Sequence, residues 1–119
     1  MRVLVYGGRD WNDSEATFSF LNEIANLYNF DHATIIVSGM AKGADILAVE
    51  WAVNNDLPID RYPADWKMHG KSAGPVRNQQ MLDSGIDLAV QFPGGTGTAD
   101  MRRRLDKAGI KVMEKNYAT

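Results

Sequence analysis

Three glycine clusters carry the chemistry legible in this chain: Gly7-Gly8-Arg9-Asp10, Ser38-Gly39-Met40-Ala41-Lys42-Gly43-Ala44-Asp45 and Pro93-Gly94-Gly95-Thr96-Gly97-Thr98. In the third, an apolar run over residues 88–92 leads into the glycines, and Met101, Leu105 and Ala108 follow at helical spacing. It reads as strand, turn and helix. The first turn of a helix leaves backbone N–H groups without partners and carries the positive end of the helix dipole. Glycine lets a ligand approach that backbone closely, so the natural guest is an anion, most often a phosphate. The Thr96 and Thr98 hydroxyls are placed either to cap the helix or to bond the same anion. The plainer alternative is a tight strand-to-helix turn with a threonine cap and no ligand.

Other polar residues take their meaning from their positions. Arg77 falls in the first turn of an expected helix, where a cation opposes the dipole, so a ligand contact explains it better than a surface ion pair. Asn78 beside it is either a ligand contact or an internal brace. Asp45 opens another helix, where a carboxylate is favourable in any case, and the adjoining glycine loop adds a ribose-hydroxyl or catalytic role. Arg9 and Asp10 either pair to shape the first loop or leave Arg9 on a phosphate. Trp11 and Trp66 lie in expected loops, where each would stack on a base or cover the sheet edge; Trp51 belongs to the core.

Several other chemistries are disfavoured. His32 and His69 share no ligand pattern and no acidic cluster has ligand spacing, so neither a metal nor a cofactor is expected. Gly70-Lys71-Ser72 has the ending of a P-loop, but Asp65 stands where its first glycine is needed and no strand feeds it. Arg102-Arg103-Arg104 with Lys107 reads as a solvated face complementing a helix C-terminus, or as a subunit or polyanion contact.

These residues need a scaffold, and 119 residues with 45% hydrophobic content fit one compact domain over 1–119. With 13 basic and 15 acidic residues the net charge is −2, which gives no general pull toward nucleic acid or an anionic membrane. Any anion site must therefore be local. The absence of cysteine excludes disulfides and thiolate metal sites. No apolar run approaches a membrane span, and Met1-Arg2-Val3-Leu4 leads into a strand rather than a signal peptide, so a cytoplasmic protein is expected.

Strands are expected over 3–6, 33–37, 57–62, 86–92 and 110–113. The third carries Pro58, which suits an edge position. Asn12 and Glu15 have capping-box spacing before a helix with Phe18, Leu21, Ala25 and Tyr28 on its buried stripe. A second helix aligns Ala44, Leu47, Ala48, Trp51 and Ala52 and stops at Asn54-Asn55-Asp56; residues 63–74 read as a long loop and 75–82 as a third helix. Strict alternation of strand and helix predicts an α/β fold: an open, mostly parallel five-stranded sheet with helices on both faces. Ligands of such sheets bind at the strand carboxyl ends, where the strand order reverses. All three glycine loops fall at such ends.

Together with Ala73-Gly74-Pro75-Val76-Arg77-Asn78, these motifs give the chain a resemblance, over nearly its whole length, to the YspA-like branch of the SLOG superfamily, found in bacteria and phages. The resemblance implies a Rossmann-like fold, self-association, and a nucleotide or nucleotide-derived ligand held by Gly7, Gly8, Arg9, Asp10, Ser38, Gly39, Gly43, Asp45, Arg77, Asn78 and the run from Pro93 through Gly94, Gly95, Thr96 and Gly97 to Thr98. Arg77 matches the family arginine that lies near the ligand. The superfamily includes the LOG phosphoribohydrolases, whose Pro-Gly-Gly-x-Gly-Thr-x-x-Glu motif would end at position 101. Here that residue is Met101, which cannot do a carboxylate's work. Asp100 points about 100° away around the helix.

The leading expectation is thus binding of a nucleotide signal, for sensing or sequestration. The alternative is a nucleoside 5′-phosphate N-glycosidase in which Asp45 or Asp100 replaces the missing carboxylate and Arg77 orients the phosphate. Single-stranded DNA binding, as in the DprA proteins, comes third because of the net charge.

Overall fold

The computed structural model describes residues 1–116. Five strands, β1 (Arg2–Tyr6), β2 (Ile35–Ser38), β3 (Ile59–Arg61), β4 (Leu88–Gln91) and β5 (Val112–Glu114), form one sheet in the order β3-β2-β1-β4-β5. Every pairing is parallel. This is an α/β, Rossmann-like architecture. The chain lays β2 and β3 to one side of β1, then returns to lay β4 and β5 on the other.

Side chains alternate along a strand, so the central β1 feeds two cores. Val3 and Val5 pack with Leu21, Ile24, Trp51 and Phe92 under α1 (Ser14–Leu27) and α2 (Ala44–Asn54). Leu4 and Tyr6 pack with Val37, Met81, Met101 and Leu105 under α4 (Ala73–Asp83) and α5 (Thr96–Lys107). Residues 3–6 of β1 are all buried, as befits a parallel strand covered on both faces.

The differences from the expected elements have local causes. Asp13, not Asn12, starts α1: its Oδ1 accepts from the Ala16 amide at 2.9 Å. The buried stripe is accordingly Thr17, Leu21 and Ile24, while Phe18, Ala25 and Tyr28 pack at its margin. Within the expected loop 63–74, Asp65 Oδ1 accepts from the Met68 amide at 3.0 Å and nucleates α3 (Trp66–His69), followed by a 3-10 turn over Gly70–Ser72. Four residues are too few to show a hydrophobic period. α4 begins at Ala73, two residues before Pro75, which a first helical turn tolerates. β3 does lie at a sheet edge, and the Pro58 carbonyl still accepts from Ile36 N at 2.9 Å.

The tightest turn is the entry to α2. Gly43 has φ near +90°, and a Cβ there would strike the Gly8 carbonyl oxygen and lie 2.6 Å from that of Arg9. Gly85 has a similar φ of +95° but open space around it. Gly43→Ala is therefore expected to cost about 2 kcal/mol or more in urea unfolding, and Gly85→Ala about 1 kcal/mol. Equal costs would show that the loop around Gly43 yields without penalty.

Candidate functional site

Where the strand order reverses, the loops that follow β1 and β4 flank a cleft of about 730 Å³. The main chain ties these loops to the start of α2. Gly8 N donates to Pro93 O at 2.8 Å, and Gly8 O accepts from Ala44 N at 3.2 Å. The approach is close enough that a Cβ on Gly8 would lie 2.8 Å from Gly94 Cα, and one on Gly94 would strike the Thr98 hydroxyl. The third glycine loop runs straight into the helix: Gly95 occupies the N-cap position of α5, and no side chain caps it. Of the two alternatives for the Thr96 and Thr98 hydroxyls, the helix cap is thus not formed. Thr96 and Gly97 lie within the exposed first turn and line the cleft with Gly95, while Thr98 is buried and reaches its wall.

Arg77 and Asp45 face this turn from the other elements. The half-buried guanidinium of Arg77 donates from Nη1 to Gly39 O at 2.5 Å and from Nε to Asn78 Oδ1 at 3.1 Å. Ion pairs among the described residues use Arg2, Arg102, Arg103 and Arg104, and none uses Arg77. Burial lowers its pKa and the field of Asp45 partly restores it, so the guanidinium stays charged. Asp45, 4% exposed in the first turn of α2, accepts from the Ala41 amide at 3.2 Å. Burial pushes its carboxyl up to about 6, against the opposing pull of the Ala41 and Gly7 amides and of Arg77.

The brace reading describes Asn78. Its Nδ2 donates to Asp100 Oδ2 at 3.0 Å and approaches Gly97 O at 3.4 Å, fastening α4 to the first turn of α5. It still reaches the cleft wall. Asp100 is committed further, accepting from Arg104 Nε and Arg103 Nη2, each at 2.8 Å. The Arg104 hydrogen bond leads in holding its pKa below the usual carboxylate range. Met101 is 1% exposed and packs in the core beneath the cleft.

Arg9 and Asp10 are exposed at the mouth and form no pair with each other; the Arg9 guanidinium lies 5.3 Å from the centroid of the Trp66 ring instead. Trp11 belongs to the core, donating from Nε1 to Thr17 Oγ1 at 2.7 Å, and Trp66 stands at the cleft. The remaining candidates divide. Gly7 and Gly8 line the cleft, whereas Ser38, Gly39 and Gly43 are not part of its lining. Ser38 is fully buried and folds its own loop by accepting the Met40 amide at 3.1 Å. Pro93 and Gly94 face a smaller cavity of about 370 Å³ beside Glu114 and Lys115.

Residues 1–69, which carry the first two glycine loops, match the sequence profile of the YspA, cpYpsA-related SLOG family. The chain belongs to this family. It is also 37% identical over 119 residues to the Gene 61 protein of Mycobacterium phage D29, an alignment that covers 94% of each chain. No solved structure matches.

In this SLOG chain two further cleft cations, Lys71 and Arg103, come from stretches outside the ligand-binding set expected from the sequence. Lys71 was obscured by the missing strand before it, and Arg103 by a basic run that reads as a solvated face. Among the described residues no group of His, Asp or Glu is arranged to hold a metal ion, and no helix is long and apolar enough to cross a membrane.

The buried Asp45 makes a pH prediction with a definite sign. Its carboxyl takes up a proton more readily in the folded chain, at about 6, than at the ordinary 3.8. Its contribution to stability is therefore full below the ordinary value and is lost as pH rises through about 6. Across that window the wild type should lose on the order of 3 kcal/mol relative to Asp45→Asn, which has no such proton to exchange. Urea unfolding of both proteins from pH 4 to 7 measures the difference. A gap independent of pH would mean that the carboxyl is solvated after all.

Proposed function

We propose that this SLOG protein binds a nucleotide or nucleotide-derived small molecule in the cleft at the strand-order reversal, as a sensor or a sequestering module. The observation that carries the reading is Arg77: a half-buried guanidinium outside every ion pair among the described residues, anchored through Gly39 and Asn78 at the cleft that also holds the uncapped start of α5. Asp45 offsets only part of the cost of a charge so placed, and a phosphate is a further anionic partner that both the guanidinium and a helix N-terminus accept. Gly97 supports the same reading. It sits in the first turn of a helix with nothing within 4 Å of an added Cβ, so alanine would fit the fold and favour the helix. A residue worse than necessary for stability is expected where a ligand needs the space.

On this reading the phosphate lies between Arg77 and the Gly95–Thr98 turn, and the ribose lies toward Asp45. One observation favours turnover as a second reading: a carboxyl brought to about 6 is suited to proton transfer near neutrality. The other candidate acid, Asp100, is held ionised by its arginines, so N-glycosidase chemistry here would depend on Asp45.

The test exposes the purified protein to nucleoside monophosphates, NAD, ADP-ribose derivatives and cyclic nucleotides, and identifies retained and released species by mass spectrometry. Binding predicts a ligand recovered intact; free base with a ribose phosphate would establish turnover instead. For whichever phosphorylated compound is retained, Arg77→Ala should weaken binding by about 1.5–3 kcal/mol in calorimetry. Unchanged affinity would remove the phosphate from Arg77.

A further inference from the structure

The chain's three tryptophans have divided fates. Trp51 and Trp11 are 3% and 8% exposed, each within the core under α1 and α2. Trp66 is 50% exposed, on a short helix that buries none of its residues, and its indole forms part of the cleft wall. Two contacts fix where that ring stands. Its Cη2 lies over Gly74, 3.9 Å from where a Cβ would be, so the first turn of α4 leaves the space beside the indole open. Gly74 and Arg77 are three residues apart on α4 and share one side of the helix, about 5–6 Å between Cβ positions. The indole and the guanidinium assigned to phosphate line the same cleft. The second contact is Arg9, whose planar guanidinium occupies the ring face at 5.3 Å from the centroid.

We propose that Trp66 is the platform on which the base of the ligand stacks, taking the place on the ring that Arg9 holds in this structure. The inference rests on the reading of the cleft as a nucleotide site and adds to it the ligand's defining part: an aromatic base, which separates nucleotides from sugar phosphates and inorganic phosphate. The exchange is favourable because an arginine on an exposed indole is held weakly, whereas a stacked base excludes water from the whole face. Stacking tolerates any base, so Trp66 selects for the presence of a base and leaves its identity to other contacts. Arg9 extends from the loop after β1 at the cleft mouth and is released toward solvent and the ligand's anionic end when the base arrives.

Trp66→Ala and Trp66→Phe test this with AMP, GMP, UMP, NAD and ADP-ribose as probes and ribose 5-phosphate as the base-free control. Affinities are read by calorimetry, and a ligand-induced change in indole fluorescence is assigned to Trp66 where it disappears in Trp66→Phe, which keeps the other two tryptophans. For the nucleotides that wild type retains, Trp66→Ala should weaken binding by about five- to 150-fold, while Trp66→Phe stays near wild type. Both should hold ribose 5-phosphate as wild type does. Nucleotide affinity unchanged in Trp66→Ala, or an equal loss for ribose 5-phosphate, would overturn the platform. The phosphate assignment fails separately: Arg77→Ala would then leave ribose 5-phosphate unaffected while Trp66→Ala still weakened the nucleotides. Retention of no probe by wild type would overturn both.

Discussion

The hydrogen bond from Gly8 N to Pro93 O spans the one place in the sheet where neighbouring strands lead their connections in opposite directions. Elsewhere in a parallel sheet the crossover helices cover the strand ends. At this junction they diverge, with α1 and α2 on one face and α4 and α5 on the other, and a crevice is left between them. The crevice exists only if two loops can lie against each other without side chains, which is why Gly8 meets Gly94 and why Gly43 must turn beneath the Gly8 carbonyl. The cleft wall and the path of the chain into the uncapped helix start both depend on that backbone contact.

Parallel topology also places the charges. Every helix that follows a strand here begins at the carboxyl edge, so α2, α4 and α5 direct the positive ends of their dipoles toward one region. Nothing in the net charge of −2 announces an anion site, because the proposed site is built from oriented amides and one guanidinium rather than from excess basic residues. Asp45 belongs to the same arrangement: its burial opposes ionisation, while the Ala41 and Gly7 amides and Arg77 favour it. A carboxyl balanced in this way is mostly ionised at neutral pH and gains its proton only a little below it, so it changes between accepting and donating a hydrogen bond near pH 6.

Much of this was legible in the sequence because the signals were local and repeated. Strand, glycine loop and helix recur, and one assumption, that the strands run parallel, brings Gly7, Asp45, Arg77 and Gly97 to a single edge. What escaped was decided by partners distant in sequence or by elements too short to show a period. Trp11 and Trp66 look alike in the chain, but Thr17 and Phe92 draw Trp11 inward, and α3 holds Trp66 at the cleft. Asn78 and Ser38 have the residue types of ligand contacts, and the sequence alone does not show that each also holds its own surroundings, Asn78 through Asp100 and Ser38 through the Met40 amide. Asn12 with Glu15 satisfied a capping rule that Asp13, one residue later, satisfied in fact.

The exchange of glutamate for methionine at position 101 is best understood through its neighbours. Position 101 faces Leu4, Met81 and Leu105 in the core beneath the cleft, where a thioether fits an irregular gap and a carboxylate would need a buried partner. The basic groups that would serve as that partner are committed one residue away: Arg103 and Arg104 close on Asp100, and Asn78 joins them from α4. The polar capacity of this part of α5 is thus spent on fixing the helix start in place rather than on presenting an acid to a glycosidic bond. An uncapped helix start over an apolar floor suits the proposed binding site. A hydrolase built on the same turn would have to recruit its acid from across the cleft, where Asp45 is the carboxyl whose environment permits it.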